Sequence, residues 1–154
     1  MNEQPTNDEL LKADRPQVLF GYGLGVLAGL AMAVLYAVAA EGLGLTFGLL
    51  AVGFFGGWAI GGAVAHGAWS GSAHAPVRAL QVGAAVIAVL AWLLGLFLAY
   101  VVSQALLPEA ATPLLERVTL SGFYDYVAGT FDFVRLVHLV SLLAAALMAW
   151  RSAR

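Results

Sequence analysis

The chain has 154 residues, of which 62% are hydrophobic and 10% are charged, and its mean hydropathy is +0.89. Soluble domains carry roughly 25% charged residues, so this composition indicates a single integral membrane domain. The net charge of -2 provides no basic surface for nucleic acid, and the absence of cysteine excludes disulfides, thiolate nucleophiles and cysteine-ligated metal clusters.

The N-terminal segment is polar and mostly acidic over residues 1–16, which predicts a polar tail. A secretory signal would instead place basic residues directly before a short apolar core. Pro16 suits the first turn of a helix, where its missing N–H has no intrahelical acceptor to lose. The first membrane span is predicted over 18–40, which is long enough to cross a hydrocarbon core of about 30 Å.

Small residues recur at every fourth position in the first span and again in the second, which is predicted over 45–69. In water such glycines would weaken a helix, whereas in lipid they let two helix backbones approach closely. A short turn at 41–44 makes the second span return antiparallel to the first. The sequence therefore predicts a Gly-zipper hairpin. Its packing residues are Gly21, Gly25, Gly29, Gly53, Gly57 and Gly61.

The second half of the chain predicts two further spans, over about 77–104 and 131–150. Between them, 105–130 is predicted as an outer loop with a short helix near Pro113 that lies in the headgroup region. Trp58 and Trp92 fall near the middle of spans and are predicted to fill space beside the glycine faces. The predicted fold class is all-α, a bundle of four transmembrane helices within one domain over 17–154.

The basic residues predict the orientation. Five of the seven fall on one side of a four-span arrangement. By the positive-inside rule this side is cytoplasmic, so the chain is predicted to be a multi-pass protein of the inner (plasma) membrane with both termini in the cytoplasm. The five residues are Lys12, Arg15, Arg78, Arg151 and Arg154.

One face of the last span carries the most informative polar residues, Asp132, Arg135, His138 and Ser141, spaced by three. Ionisable groups at membrane depth are costly and usually face a bundle interior or a wet cavity. One interpretation is a binding pocket or a proton relay. The other is structural: Asp132 favours the positive end of the helix dipole and pairs with Arg135, and His138 is a neutral packing contact.

Catalytic and cofactor sites are not supported by the remaining residues. His66 and His138 are predicted near opposite membrane surfaces and therefore cannot ligate one haem, although either alone leaves a single axial ligand possible. The Gly21 to Gly25 segment is rich in glycine, as nucleotide-binding loops are, but it lies inside a predicted membrane helix, with no strand before it and no acidic residue at the required distance after it. No serine has an acid–base partner at a recognisable spacing. We therefore predict a protein that is not an enzyme and that has no cofactor and no metal.

Several short motifs resemble those of small multipass proteins of bacterial inner membranes. In that family a Gly-rich helix hairpin is followed by another span, a variable outer loop and a last helix that opens with a Phe-Asp pair and closes near Trp-Arg. The resemblance implies the four-span fold and no activity. The motifs are Phe20-Gly21-Tyr22, 44–48 (GLTFG), 52–57 (VGFFGG), Phe131-Asp132-Phe133-Val134 and Ala149-Trp150-Arg151.

Three functions are consistent with these observations. The first is a non-enzymatic accessory or scaffold subunit that contacts membrane lipids and packs against other membrane proteins. The second is a small homo-oligomeric transporter or channel with a polar path along the last span. The third is a lipid-, quinone- or pigment-binding subunit of an electron-transfer complex. The abundance of helix-packing residues and the scarcity of reactive groups favour the first.

Overall fold

The computed structural model describes residues 17–69, 77–107, 113–129 and 133–153, and 89% of these residues are helical. No strand occurs within these ranges, which confirms the all-α prediction. The predicted tail over 1–16 lies outside the described residues. The helices are α1 (Val18–Ala37), α2 (Gly48–Trp69), α3 (Arg78–Ala105), α4 (Leu114–Arg117), α5 (Leu120–Gly129) and α6 (Phe133–Ser152).

Three helical segments are long and apolar enough to cross a membrane: Val18–Gly42, α2 and α3. Their ends lie within three residues of the first three predicted spans. In α6 the apolar stretch, Leu136–Ser152, is shorter. The outward side chains of the long helices are large and apolar, as in Leu27, Leu35 and Leu90, each about 60% exposed. Such a surface is suited to lipid rather than to water.

The connection between α1 and α2 is tighter than a simple loop. After Ala37 the helix widens into a π-helical turn, Val38–Gly42, in which the Leu43 N–H donates to the Val38 carbonyl at 2.9 Å. Gly44 then adopts a positive φ of 60°, a conformation that glycine reaches without steric cost. The turn reverses the chain, and its π-helical part carries Glu41.

The four long helices form a ring in which α1 packs on α2 and α3, and α6 packs on the same two helices from the other side. Among the described residues α1 and α6 make few backbone contacts, so they lie diagonally across the bundle. We call the end where α1 stops and α6 starts the Glu41 end. The opposite end, where α3 starts and α6 stops, is called the Arg78 end.

The two glycine rows have different partners. On α1, Gly21 lies against α2, where a methyl group would come 3.0 Å from Ala68 Cβ, whereas Gly29 lies against Ala91 of α3. On α2, the row faces α6: a methyl group on Gly57 would overlap the Ala145 backbone. The expectation that both rows close the α1–α2 hairpin therefore differs from the structure, in which the second row packs against the last helix.

The sequence of α6 explains this difference. Ser141, Ala145 and Ala149 are fully buried and repeat every fourth residue, so α6 presents a small-residue row of its own. The matching row on α2 consists of Gly53, Gly57 and Gly61, each of which lies against that face of α6. Two small-residue rows facing each other allow the closest backbone approach, which maximises van der Waals contact in lipid.

A short helical cap covers the Glu41 end of α3. Tyr100 Oη donates to the Arg117 carbonyl at 3.0 Å, and Arg117 Nη1 donates to the Gln104 carbonyl at 2.5 Å. Phe123 of α5 packs edge-on against Phe97, with ring centroids 5.5 Å apart. The short helix predicted near Pro113 corresponds to α4, whereas α5 was predicted as loop. Phe123 and Tyr126 pack their rings against Tyr100 of α3, and this tertiary contact favours the helix.

Candidate functional site

A buried hydrogen bond joins the diagonal helices α1 and α6 near the Glu41 end. Tyr36 Oη lies 2.5 Å from His138 Nδ1, although the two residues are 102 positions apart in the chain. Tyr36 is fully buried and His138 is 9% exposed. Because the phenol and the imidazole form a hydrogen bond with each other, neither of these polar groups is left unpaired in the apolar interior.

Ser141 and Trp92 complete this polar cluster, which we define as Tyr36, Trp92, His138 and Ser141. Ser141 Oγ donates to the Leu49 carbonyl at 2.7 Å, which ties α6 to α2. The Trp92 ring meets Tyr36 edge-on, with centroids 6.2 Å apart. Its indole nitrogen is buried beside Tyr36 and has no hydrogen-bond acceptor within the described residues.

A second polar pair lies at the edge of the cluster. Tyr126 of α5 donates its hydroxyl proton to Glu41 Oε1 at 2.5 Å, which joins the cap to the π-helical turn. Burial raises the pKa of Tyr126, and the hydrogen bond to Glu41 raises it further. The phenol therefore stays protonated and remains a donor at neutral pH. Glu41 lies at the same end of the bundle as His138.

The predicted polar face of the last span is only partly described by the structure. His138 and Ser141 lie in the interior and belong to the cluster. Asp132 lies outside the described residues, and only the backbone of Arg135 is described, as part of α6. The predicted pairing of Asp132 with Arg135 therefore stays a prediction.

Sequence reasoning missed Tyr36, Trp92 and Tyr126 as members of the polar site. Tyr36 was not among the predicted site residues, but its hydroxyl points inward to His138. One signal was available: Tyr36 lies on the same α1 face as the glycine row, since it follows Gly29 by seven residues. Nothing in the local sequence links Tyr126 to Glu41, because α5 meets the turn only after the bundle has formed.

The two histidines of the long helices lie at opposite ends of the bundle. His66 is exposed near the end of α2, and His138 is buried near the start of α6. Within the described residues, no group of three or more His, Asp or Glu side chains has the arrangement of a metal site. His74 lies outside the described residues.

An apolar groove of about 620 Å³ runs along the outer surface between α1 and α2, and we call it the hairpin groove. Small residues form most of its floor, and large aromatic residues form its rim on α2. Trp58, predicted to fill space beside the glycine faces, is 57% exposed on this rim, whereas Trp92 is buried. The groove is lined by Ala28, Ala31, Met32, Leu35, Ala51, Val52, Phe55, Gly56, Trp58 and Ala59.

A smaller groove of about 270 Å³ lies between α3 and α6 in the half of the bundle nearer the Arg78 end, and we call it the α3–α6 groove. Trp150 forms its wall on α6. The other wall is the α3 face made by Val82, Ala85, Val86, Val89 and Leu90.

Comparison with known proteins gives no relative: no family model, curated protein or solved structure matches this chain. The resemblance to bacterial multipass proteins stays a prediction.

Proposed function

We propose that the chain is a four-span integral membrane protein, with both termini cytoplasmic, that serves as a non-enzymatic accessory subunit. In this proposal α6 is the fourth span, and the glycine rows act as the packing surfaces that hold the bundle together. The bundle then presents the hairpin groove to one transmembrane helix of a partner membrane protein. The hairpin groove is the observation that carries the proposal.

The shape and lining of the hairpin groove support a helix as its occupant. In lipid, apolar side chains gain little by leaving hydrocarbon for one another, so association depends on close van der Waals fit. Exposed Ala31, Ala51 and Ala59 allow a neighbouring backbone to approach, and Phe55 and Trp58 provide large flanking surfaces. The polar cluster, in contrast, is engaged within the bundle, through the Tyr36–His138 bond and the bond from Ser141 to Leu49.

Site-specific photo-crosslinking in native membranes tests this proposal. A photoreactive residue at Ala31 or Ala59 should capture a transmembrane peptide that mass spectrometry assigns to one defined partner, and a second substitution, Ala51→Leu, should abolish capture by filling the groove. The same probe at Leu143, which is 68% exposed on α6, is the matched control and should not capture that peptide. A crosslinked product that contains two copies of this chain would overturn the accessory-subunit proposal in favour of a homo-oligomer. Crosslinks to lipid alone would overturn the proposal.

A small transporter or channel is the second candidate, and one observation favours it. Half-buried Glu41 lies at the same end of the bundle as buried His138, and the Tyr36 hydroxyl, which is hydrogen-bonded to His138, continues the series into the bundle. Series of ionisable and hydroxyl groups of this kind carry protons in membrane proteins.

Proton flux into vesicles distinguishes this second candidate from the first. When the outside medium is made more acidic, vesicles that contain the purified protein and a pH-sensitive dye should acidify faster than vesicles without the protein. The substitution His138→Phe should return the rate to that of the protein-free vesicles. Tyr124→Phe, which changes a side chain that is 72% exposed, is the control and should leave the rate unchanged. Equal rates for wild-type and empty vesicles would eliminate proton conduction.

A further inference from the structure

The Arg78 end combines an apolar groove with two exposed arginines. Arg78 is the first residue of α3 and lies one helical turn before Val82, which lines the α3–α6 groove. Arg151 directly follows Trp150, which forms the opposite wall. Both arginines are exposed, and neither guanidinium group makes a hydrogen bond or an ion pair with the described part of the chain.

We propose that the α3–α6 groove, with Arg78 and Arg151 at its mouth, binds one anionic phospholipid. The acyl chain would lie along the apolar groove, and the two guanidinium groups would hold the phosphate. This inference rests on the proposed four-span arrangement, in which the Arg78 end is cytoplasmic. It does not depend on the partner in the hairpin groove.

The size and lining of the groove favour a lipid acyl chain over a compact ligand. At about 270 Å³ the groove is slightly smaller than typical pockets for compact small molecules, which span roughly 300–1,000 Å³. Its walls are apolar and offer no polar side chain apart from the Trp150 indole, so nothing inside the groove would orient a polar molecule. A flexible hydrocarbon chain needs no such orientation.

The positive charges of Arg78 and Arg151 at the mouth of the groove favour an anionic phosphate headgroup. Guanidinium groups donate several hydrogen bonds in a planar array that matches phosphate oxygens. The cytoplasmic leaflet carries anionic lipids, and each basic residue near its surface contributes to their attraction. Trp150 lies beside Arg151 near the end of α6, the position at which tryptophan commonly marks the membrane interface. The charges of the two arginines and the position of Trp150 therefore both favour an anionic lipid of the cytoplasmic leaflet.

Native mass spectrometry of the protein released from vesicles tests the inference. Vesicles contain equal amounts of phosphatidylglycerol and phosphatidylcholine with identical acyl chains. The wild-type protein should retain one phosphatidylglycerol molecule in preference to phosphatidylcholine. Arg78→Gln and Arg151→Gln should each reduce this preference about fivefold, which corresponds to about 1 kcal/mol. Arg117→Gln, at the other end of the bundle, is the charge-matched control and should leave the preference unchanged.

Two further measurements separate the groove from the headgroup contacts. Val86→Trp keeps both arginines but fills the groove from an exposed position, so it should reduce the retention of phosphatidylglycerol. Soluble glycerol phosphate, which has the headgroup chemistry without a chain, should not displace the bound lipid. Displacement by glycerol phosphate, or a preference that survives both arginine substitutions, would overturn the inference.

The topology of the same preparation separates this inference from the proposed four-span arrangement. If both termini lie on one side of the membrane and the wild-type protein shows no preference for phosphatidylglycerol, the lipid site is wrong and the four-span arrangement stands. If the termini lie on opposite sides, the four-span arrangement fails, and the lipid site fails with it.

Discussion

At the scale of single residues, the interior of the bundle is organised by polar groups that find their partners inside it. Tyr36 and His138 satisfy each other across the diagonal of the bundle, and Ser141 is satisfied by the Leu49 carbonyl. Hydrogen bonds between membrane helices contribute on the order of 1 kcal/mol each. Their larger effect is on specificity, because a rotated helix would leave these groups unpaired in hydrocarbon.

The Tyr126–Glu41 hydrogen bond predicts a pH dependence at the alkaline end. The pKa of Tyr126 in the folded protein is raised above its ordinary value of 10.0, so its contribution to stability is complete below about pH 10 and decreases as the pH rises further. Wild-type protein should therefore unfold at a higher temperature than Tyr126→Phe between pH 6 and 9.

Thermal unfolding in detergent, measured across this range and up to pH 11, checks the prediction. The difference between the two proteins should narrow above pH 10. Tyr124→Phe is the control, since Tyr124 is largely exposed on the same helix. A difference between wild type and Tyr126→Phe that grows with pH would contradict the assignment.

At the scale of the helices, the small-residue rows decide which helices pair. The row on α1 is divided between α2 and α3, whereas the row on α2 is matched to the one on α6. The α2–α6 contact is among the most extensive in the bundle, although the two helices are far apart in sequence. Because α2 packs this closely on α6, both helices must be in place before the bundle can close.

Substitution of Gly57 should separate α2 from α6 and leave the α1–α2 contact in place. In Gly57→Ala the added methyl group would lie 2.7 Å from Ala145 Cα, so the two backbones must move apart. We expect a loss of about 1–3 kcal/mol in the free energy of unfolding, as for other overpacked sites. Denaturation of the purified protein in mixed micelles measures it.

Gly62→Ala is the matched control for Gly57→Ala on the same helix. Among the described residues, no atom outside the adjoining backbone of α2 lies within 4 Å of the methyl group that this substitution would add. It should leave stability unchanged or increase it by up to about 1 kcal/mol, because alanine favours helix over glycine. Equal destabilisation by both substitutions would show that loss of glycine itself, and not contact with α6, is responsible.

At the scale of the whole molecule, the number of spans determines where the C terminus lies. The three long helices are long and apolar enough to carry the chain across a membrane three times, and in the proposed arrangement the shorter apolar stretch of α6 would return it. In the ring, α6 packs against α2 and α3, the same two helices that α1 contacts. Its outward residues Leu139, Leu143 and Leu147 are at least half exposed. These features favour α6 as a fourth span.

Cysteine labelling tests the topology directly, because the native chain has no cysteine to remove. In intact cells a membrane-impermeant maleimide should label Leu43→Cys and should fail to label Asn2→Cys or Arg154→Cys until the membrane is opened. Labelling of Arg154→Cys in intact cells, with Asn2→Cys still protected, would leave only three spans. Full labelling of all three variants after permeabilisation is the control for reactivity.

Several features of this protein follow from local periodicity and composition alone. An all-α chain, three long apolar helices and their approximate ends follow from runs of hydrophobic residues and from the turn at Gly44, since these depend on neighbouring residues alone. The recurrence of glycine and alanine at every fourth position likewise identifies the helix faces that are available for close packing.

The pairing of these faces, in contrast, is visible only in the folded bundle. The second glycine row could have closed the hairpin, but α6 offers a complementary row, Ser141, Ala145 and Ala149, and the bundle pairs the two. Tyr36 and His138 meet for the same reason, because rotation of α1 and α6 into these contacts brings their polar groups together. Helix pairing depends on surface complementarity between distant segments, and no local pattern in the chain encodes that choice.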